Sequence, residues 1–360
     1  MGSESARLIL DADALRTNYA RIKEQVGPRC AVAGIVKADG YGLGAEPVAR
    51  ILFQQGCRQF FVATPEEGVS LRAALPPEAS VAVLGGLYTG AEREYVAHDL
   101  TPVLNTLEEA GRWARIAPGA SAILHIDTGM NRLGLDGREM VRLAEDPSLL
   151  CGVPLSAVMS HFACADDPSH PMTAVQNERF ATLAARFPGV PRSLANSAGA
   201  FSGSGYHYDM VRPGIALYGG APLEGRENPM RPVVGLEARV LQVRTVRKGE
   251  TLGYGATHRF ERDGFSATVA LGYADGYLRS GSGRGSLYWK GRALPVAGRV
   301  SMDLVTLDCT AIPENDLPVP GDFVEVIGPH RTLDQVAGEA GTISYEILTD
   351  LGVRYLRIWK

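Results

Sequence analysis

The chain has 360 residues, 45% of them hydrophobic and 21% charged, the balance of an ordinary globular enzyme with room for two domains or one barrel plus an appendage. A net charge of -4 with no block of like charges argues against nucleic acid as a partner, and no apolar run approaches membrane-spanning length. The five cysteines are odd in number and lack C-x-x-C spacing, and MGSESARLIL has no signal-peptide pattern, so a reduced, cytoplasmic protein is expected.

In chain order, Ala6 to Asp11 reads as a short strand. A helix follows with Asp13 as its N-cap and Leu15, Tyr19, Ile22 and Val26 on one face, stopped by Gly27-Pro28. Short apolar segments then alternate with helical ones as far as about Gly220. The expected strands are Cys30–Val36, Gln59–Ala63, Ser80–Leu84, Thr101–Leu104, Ser121–Asp127, Pro154–Ser160, Arg192–Asn196 and Asp209–Arg212. Helix starts are marked by Pro47, by Thr64-Pro65-Glu66-Glu67 and by a capping box at Asn105-Thr106-Leu107-Glu108. Eight such β/α alternations predict an α/β fold, a (β/α)8 TIM-type barrel with its chemistry at the C-terminal strand ends.

Beyond about Arg231 the texture changes. Val234–Val246, Ser266–Leu271, Ser286–Pro295, Asp303–Asp308 and Phe323–Ile327 are β-type segments between glycine turns. A short helix is expected near Leu333–Gly338, with Val353–Trp359 closing the sheet. The expected division is a barrel over 12–225 and a mainly β C-terminal domain over 231–360, joined by the N-terminal strand (1–11), with Pro222–Pro232 as linker.

Four residues fall at expected strand ends: Lys37, His161, Ser197 and Arg212. A lysine ending a buried strand loses water, which disfavours its ammonium form and makes it the nucleophile that Schiff-base chemistry needs. Tyr41 follows at a spacing that places a phenol near a phosphate. Ser197 opens a helix after a strand, and the amides of Gly214 and Ile215 follow Arg212, so two turns offer donors to phosphate. Arg132, in the glycine-turned loop Asp127–Gly134, is suited to gripping a carboxylate through two parallel hydrogen bonds. His161, with Cys164, Asp166 and Asp167 nearby, lacks the second cluster that a metal site requires, and a packing role is its ordinary reading. Tyr254 and Tyr273 lie among glycines and read as sheet residues unless their domain faces an active site; Gly281–Ser286 reads as an exposed hairpin.

The motifs VKADGYG, DTGMNRLG, MSHFACAD, NSAG, VRPGIALYG, GYGATH, GYADG, GRVSMDL and TISYE run in order along nearly the whole chain, and the sequence resembles the alanine racemase family of fold-type III enzymes. The resemblance implies a homodimer that uses pyridoxal phosphate (PLP) and interconverts L- and D-alanine for peptidoglycan. It implies that Lys37 carries PLP, that Tyr41, Ser197, Gly214, Ile215 and Tyr345 contact its phosphate, and that Arg212, supported by His161, meets the pyridine nitrogen. Arg132 and the backbone of Met302 would bind the substrate carboxylate, Tyr273 and Tyr345 would narrow the way in, and Tyr254 of the partner subunit would be the second base. The same resemblance leaves room for a racemase of serine or of broader range, a decarboxylase, or a PLP-binding protein without turnover. One departure stands out. Many relatives carry a carbamylated lysine just before the DTG run, and this chain has His125, which forms no stable carbamate.

Overall fold

The computed structural model describes residues 4–360, which divide into two compact units. The first comprises residues 15–217 and 221–230; the other holds residues up to 14, 218–220 and 231–360.

The larger unit is built on nine parallel strand pieces. Their order is Ala31–Val32, Met210–Val211, Arg192–Ser193, Leu155–Met159, Ala122–His125, Leu100–Leu104, Ser80–Val83, Gln59–Val62 and Gly34–Ile35. The first and last pieces are separated only by Ala33, whose N–H donates to Val211 O at 3.0 Å. They form one stave, so the sheet returns on itself as an eight-stave barrel, as the β/α alternation leads one to expect. Phe60, Phe61 and Val62 are all buried, as are Val81, Ala82 and Val83, because helices cover the outside while side chains fill the inside.

Helix starts follow the capping rules with small shifts. Thr64 accepts from Glu67 N–H with Pro65 in the first turn, as expected. The first helix, Ala12–Val26, is capped by Asp11 rather than Asp13; its carboxylate accepts from Ala14 N–H at 2.7 Å. The box near Asn105 is one residue out of register. Thr106 accepts from Glu109 N–H, and Glu109 reaches back to Asn105 N–H at 2.8 Å. Pro47 sits inside the helix Ala45–Gln54 instead of opening it.

The smaller unit is an eight-stranded, mostly antiparallel sheet organised on the 13-residue strand Val234–Val246. Ala6–Leu10 pairs with it antiparallel and with Leu356–Trp359 parallel, so the N-terminal strand joins the β unit as expected. Its burial alternates strictly, one face on the core. Ser286–Pro295 is a hairpin, Ser286–Trp289 with Arg292–Pro295, turning at Lys290-Gly291, where both residues have positive φ. Gly281–Ser286 is therefore not the hairpin turn; it leads into this one. A helix at Ser344–Thr349 carries Tyr345; its six residues are too few for an apolar period to mark it in the sequence. No described helix is long and apolar enough to cross a membrane.

Candidate active site

All barrel strands are parallel, so their C-terminal ends share one mouth, and the expected barrel residues collect there. Lys37 follows the strand Gly34–Ile35 and opens an unusual turn. Ala38, Asp39, Gly40, Tyr41 and Gly42 all have positive φ, a left-handed turn closed by Gly42 N–H to Ala38 O at 2.7 Å. Left-handed backbone costs an L-residue about 1–2 kcal/mol, so Ala38, Asp39 and Tyr41 are held there by their surroundings. Part of that hold is Glu67, whose two carboxylate oxygens accept from Ala38 N–H and Ala63 N–H, each at 2.7 Å. Burial, and next the Arg132 cation, push the Lys37 ammonium below its ordinary range; Glu67 opposes them. A lowered amine loses its proton more readily, which suits it to nucleophilic or basic chemistry.

Tyr41 is buried, and a Cβ added to Gly214 would lie 2.1 Å from its phenol oxygen. Ser197 Oγ accepts from Gly214 N–H at 2.9 Å and Ala216 N–H at 3.2 Å. A phenol, a hydroxyl and the Gly214 backbone thus converge, with the Gly214 amide given to Ser197, and only glycine leaves them room. Such a cradle suits a phosphate group.

Arg212 is fully buried, and burial brings its guanidinium down to about 9, still a cation at neutral pH. It donates to Ser193 Oγ and to the Ser160 carbonyl, and its Nη2 lies 3.3 Å from His161 Nδ1. Ser193 and Ser160 O hold it more closely than His161 does. Burial, then the cations Arg212, Arg132 and Lys37, keep His161 well below its ordinary value, so it is neutral. Gln176, completely buried, fixes the loop beyond it by accepting from Ala163 N–H and donating to His161 O.

Arg132 rides on a closed excursion. Asp127 Oδ1 accepts from Gly129, Met130 and Asn131 N–H, while His125 O and Asp127 N–H pair with Leu135. Its guanidinium is exposed and forms no hydrogen bond or ion pair among the described residues, so its charge is available to an anionic ligand. His125 lies at the base of this loop, lowered to about 4, chiefly by burial and then by Arg212.

Tyr254, Tyr273, Met302 and Tyr345 belong to the β unit. Tyr254 stands on the turn Tyr254–Ala256 and is 72% exposed. Tyr273 and Met302 are neighbours: Tyr273 N–H donates to Ser301 O and Ala274 N–H to Met302 O. Arg354 ties this pair of loops by bridging Asp275 and Asp303. Tyr345 is in the first turn of its helix and also exposed. Sequence reading missed the site roles of Glu67, Asn105, Gln176 and Ser193. Of these Glu67 and Asn105 had a local signal, in both cases only that of a helix cap.

Fold and site together define a barrel enzyme with a lysine among its strand ends. The chain matches the alanine racemase N-terminal domain over residues 10–222 and the C-terminal domain over residues 233–359. It belongs to the alanine racemase family. Among curated relatives it is 51% identical over 356 residues to an alanine racemase of Acidiphilium cryptum, covering 98% of each chain. It is 46% identical over 360 residues to a catabolic alanine racemase of Agrobacterium fabrum, covering 99% of this chain and 92% of that one. Among solved structures, the alanine racemase of Bartonella henselae with covalently bound pyridoxal phosphate superposes with a TM-score of 0.94 at 38% identity, covering 99% of both chains. The biosynthetic alanine racemase of Pseudomonas aeruginosa gives 0.90 at 34% identity, covering 99% of both chains.

Proposed function

We propose that the protein interconverts L- and D-alanine with pyridoxal phosphate, using Lys37 and Tyr254 of the partner subunit as bases on opposite faces of the substrate, and so supplies D-alanine for peptidoglycan. The observation that carries the reading is Lys37: a half-buried amine, lowered by its surroundings, at the mouth that also holds a phosphate cradle and a free arginine.

The residues present fit that cofactor. Tyr41, Ser197, Gly214 and Ile215, with Tyr345, would hold its phosphate, and filling the cradle with a Cβ would exclude it. Arg212 would meet the ring nitrogen, supported by His161 and more closely by Ser193. When bound, pyridoxal phosphate supplies a sink for the electrons left on Cα as its proton departs. Arginine donates a hydrogen bond there without surrendering its proton, which keeps that sink weak and discourages side reactions.

Racemisation needs a proton removed from one face of Cα and returned on the other. Arg132 and the Met302 backbone orient the substrate by its carboxylate, while Tyr273 and Tyr345 narrow the approach. Lys37, neutral once its proton is lost, serves one face, and the phenol of Tyr254 serves the other. Tyr254, Tyr273, Met302 and Leu304 are all exposed on one unit, a set of large apolar side chains that a second copy would cover, which supports a homodimer with a shared site.

The test is incubation of L-alanine with enzyme and pyridoxal phosphate in deuterium oxide, following Cα exchange and optical rotation, with L-serine in parallel. Exchange with loss of rotation is expected for alanine. Carbon dioxide release would mark a decarboxylase instead, no exchange a binding protein, and equal turnover of serine a broader racemase.

A further inference from the structure

The turn that presents Tyr254 is weakly built. It tops a ribbon of two-residue strands, Thr251–Leu252 and His258–Arg259, which pair with each other and form a separate sheet. A two-stranded ribbon is marginal in water, so its position depends on what it leans against. Leu252 O packs on Gly298, where a Cβ would come within 2.9 Å, and Gly255 faces the Arg299 guanidinium. Phe260, just past the ribbon, is buried and meets the His258 ring edge to face at 4.8 Å.

His258 itself is unresolved chemically. Its Nε2 is shut off from solvent yet has no hydrogen-bond partner among the described residues. Across the gap stands Asp308 Oδ2, at 3.9 Å, on the last residue of the strand Leu304–Asp308. Asp308 is already aimed, since its Oδ1 accepts from Thr310 N–H at 2.8 Å. Both line a cleft of ≈ 200 Å³ with Thr310, whose Oγ1 is also buried without a partner. An ordinary N–H···O bond is about 2.9 Å, so closing the ribbon on the sheet by about 1 Å would complete this contact.

We infer that His258 is a positioning residue: its Nε2–H donates to Asp308, and this latch sets the place of Tyr254 four residues away at the ribbon tip. The inference rests on the reading of Tyr254 as a base. About 1 Å of misplacement is enough to cost about 100-fold in rate at a reacting group, so a contact that closes such a gap matters to proton transfer.

Two rates in deuterium oxide test it: Cα exchange of each enantiomer and racemisation. With one of two opposed bases impaired, the other still removes and returns a proton on its own face, so exchange of one enantiomer outruns racemisation. Tyr254→Phe sets the scale. His258→Met and His258→Gln are of similar size and differ in whether they can donate. The methionine variant is expected to raise the exchange-to-racemisation ratio in the same enantiomer and to slow racemisation roughly tenfold, inside the range above. The glutamine variant restores most of the loss. Asp308→Ala reproduces the methionine variant, and the double variant loses no more than the worse single one, as two ends of one contact must. Equal behaviour of His258→Met and His258→Gln, or additive losses in the double variant, overturns the latch. If Tyr254→Phe itself leaves the ratio unmoved, the base assignment falls and the latch with it; if it moves the ratio while His258→Met does not, the latch alone falls.

Discussion

His125 Nδ1 lies 2.8 Å from Asn105 Oδ1 at the ends of adjacent barrel staves. Asn105 spends its amide N–H on Val103 O at 3.1 Å, so its oxygen must accept and the imidazole must carry its proton on Nδ1. The other ring nitrogen is left as an acceptor. The group at the foot of the Arg132 loop is therefore neutral, with its one donor already satisfied.

That arrangement needs no carbon dioxide. Activity measured in carbon-dioxide-free buffer is expected to equal that in bicarbonate; a fall on degassing that bicarbonate reverses would show a carbamate elsewhere in the site.

The same histidine gives an acid signature. Its folded value of about 4 lies below the ordinary 6.5, so the unfolded chain takes up the proton first. The neutral ring favours folding fully above 6.5, and that contribution drains away as pH falls towards 4, beyond which it is constant. His125→Asn should lose less melting temperature than the parent between these limits, read from paired thermal melts across the range.

Gly214→Ala pushes a methyl into the Tyr41 phenol. The expected result is cofactor affinity weakened roughly tenfold or more, about 1.4 kcal/mol, with the fold retained. Titration of the apoenzyme with pyridoxal phosphate, followed by absorbance, checks it.

Arg212→Glu removes the donor from Ser193 Oγ and Ser160 O and leaves buried acceptors facing one another. Destabilisation of roughly 2–4 kcal/mol is expected by denaturant titration. In the surviving enzyme, pyruvate formed per racemisation should rise, because an acid at the ring nitrogen makes the electron sink stronger. Unchanged pyruvate would remove the role proposed for the arginine.

Racemisation should climb on the alkaline side of neutrality. Lys37 accepts a proton only when neutral, and its value, though lowered by burial and Arg132, starts from 10.5. Arg132→Gln should move the limb assigned to Lys37 upward, since a neighbouring cation no longer opposes the ammonium. A kcat profile flat from acidic to alkaline pH would count against both bases.

Much of this protein is written locally. Apolar runs bounded by turn residues, and helix starts at Thr64 and Thr106, lay out eight staves with Lys37, His161, Ser197 and Arg212 at their ends, because periodicity and capping act over a few residues. What only the closed barrel decides is which distant groups meet. Ser193 beneath Arg212, Tyr41 against Gly214, and Asn105 on His125 are separated by 19, 173 and 20 positions, spacings that no local pattern records. The left-handed run after Lys37 belongs with them, since isolated Ala38 and Asp39 would not adopt it, and long-range partners such as Glu67 hold the turn.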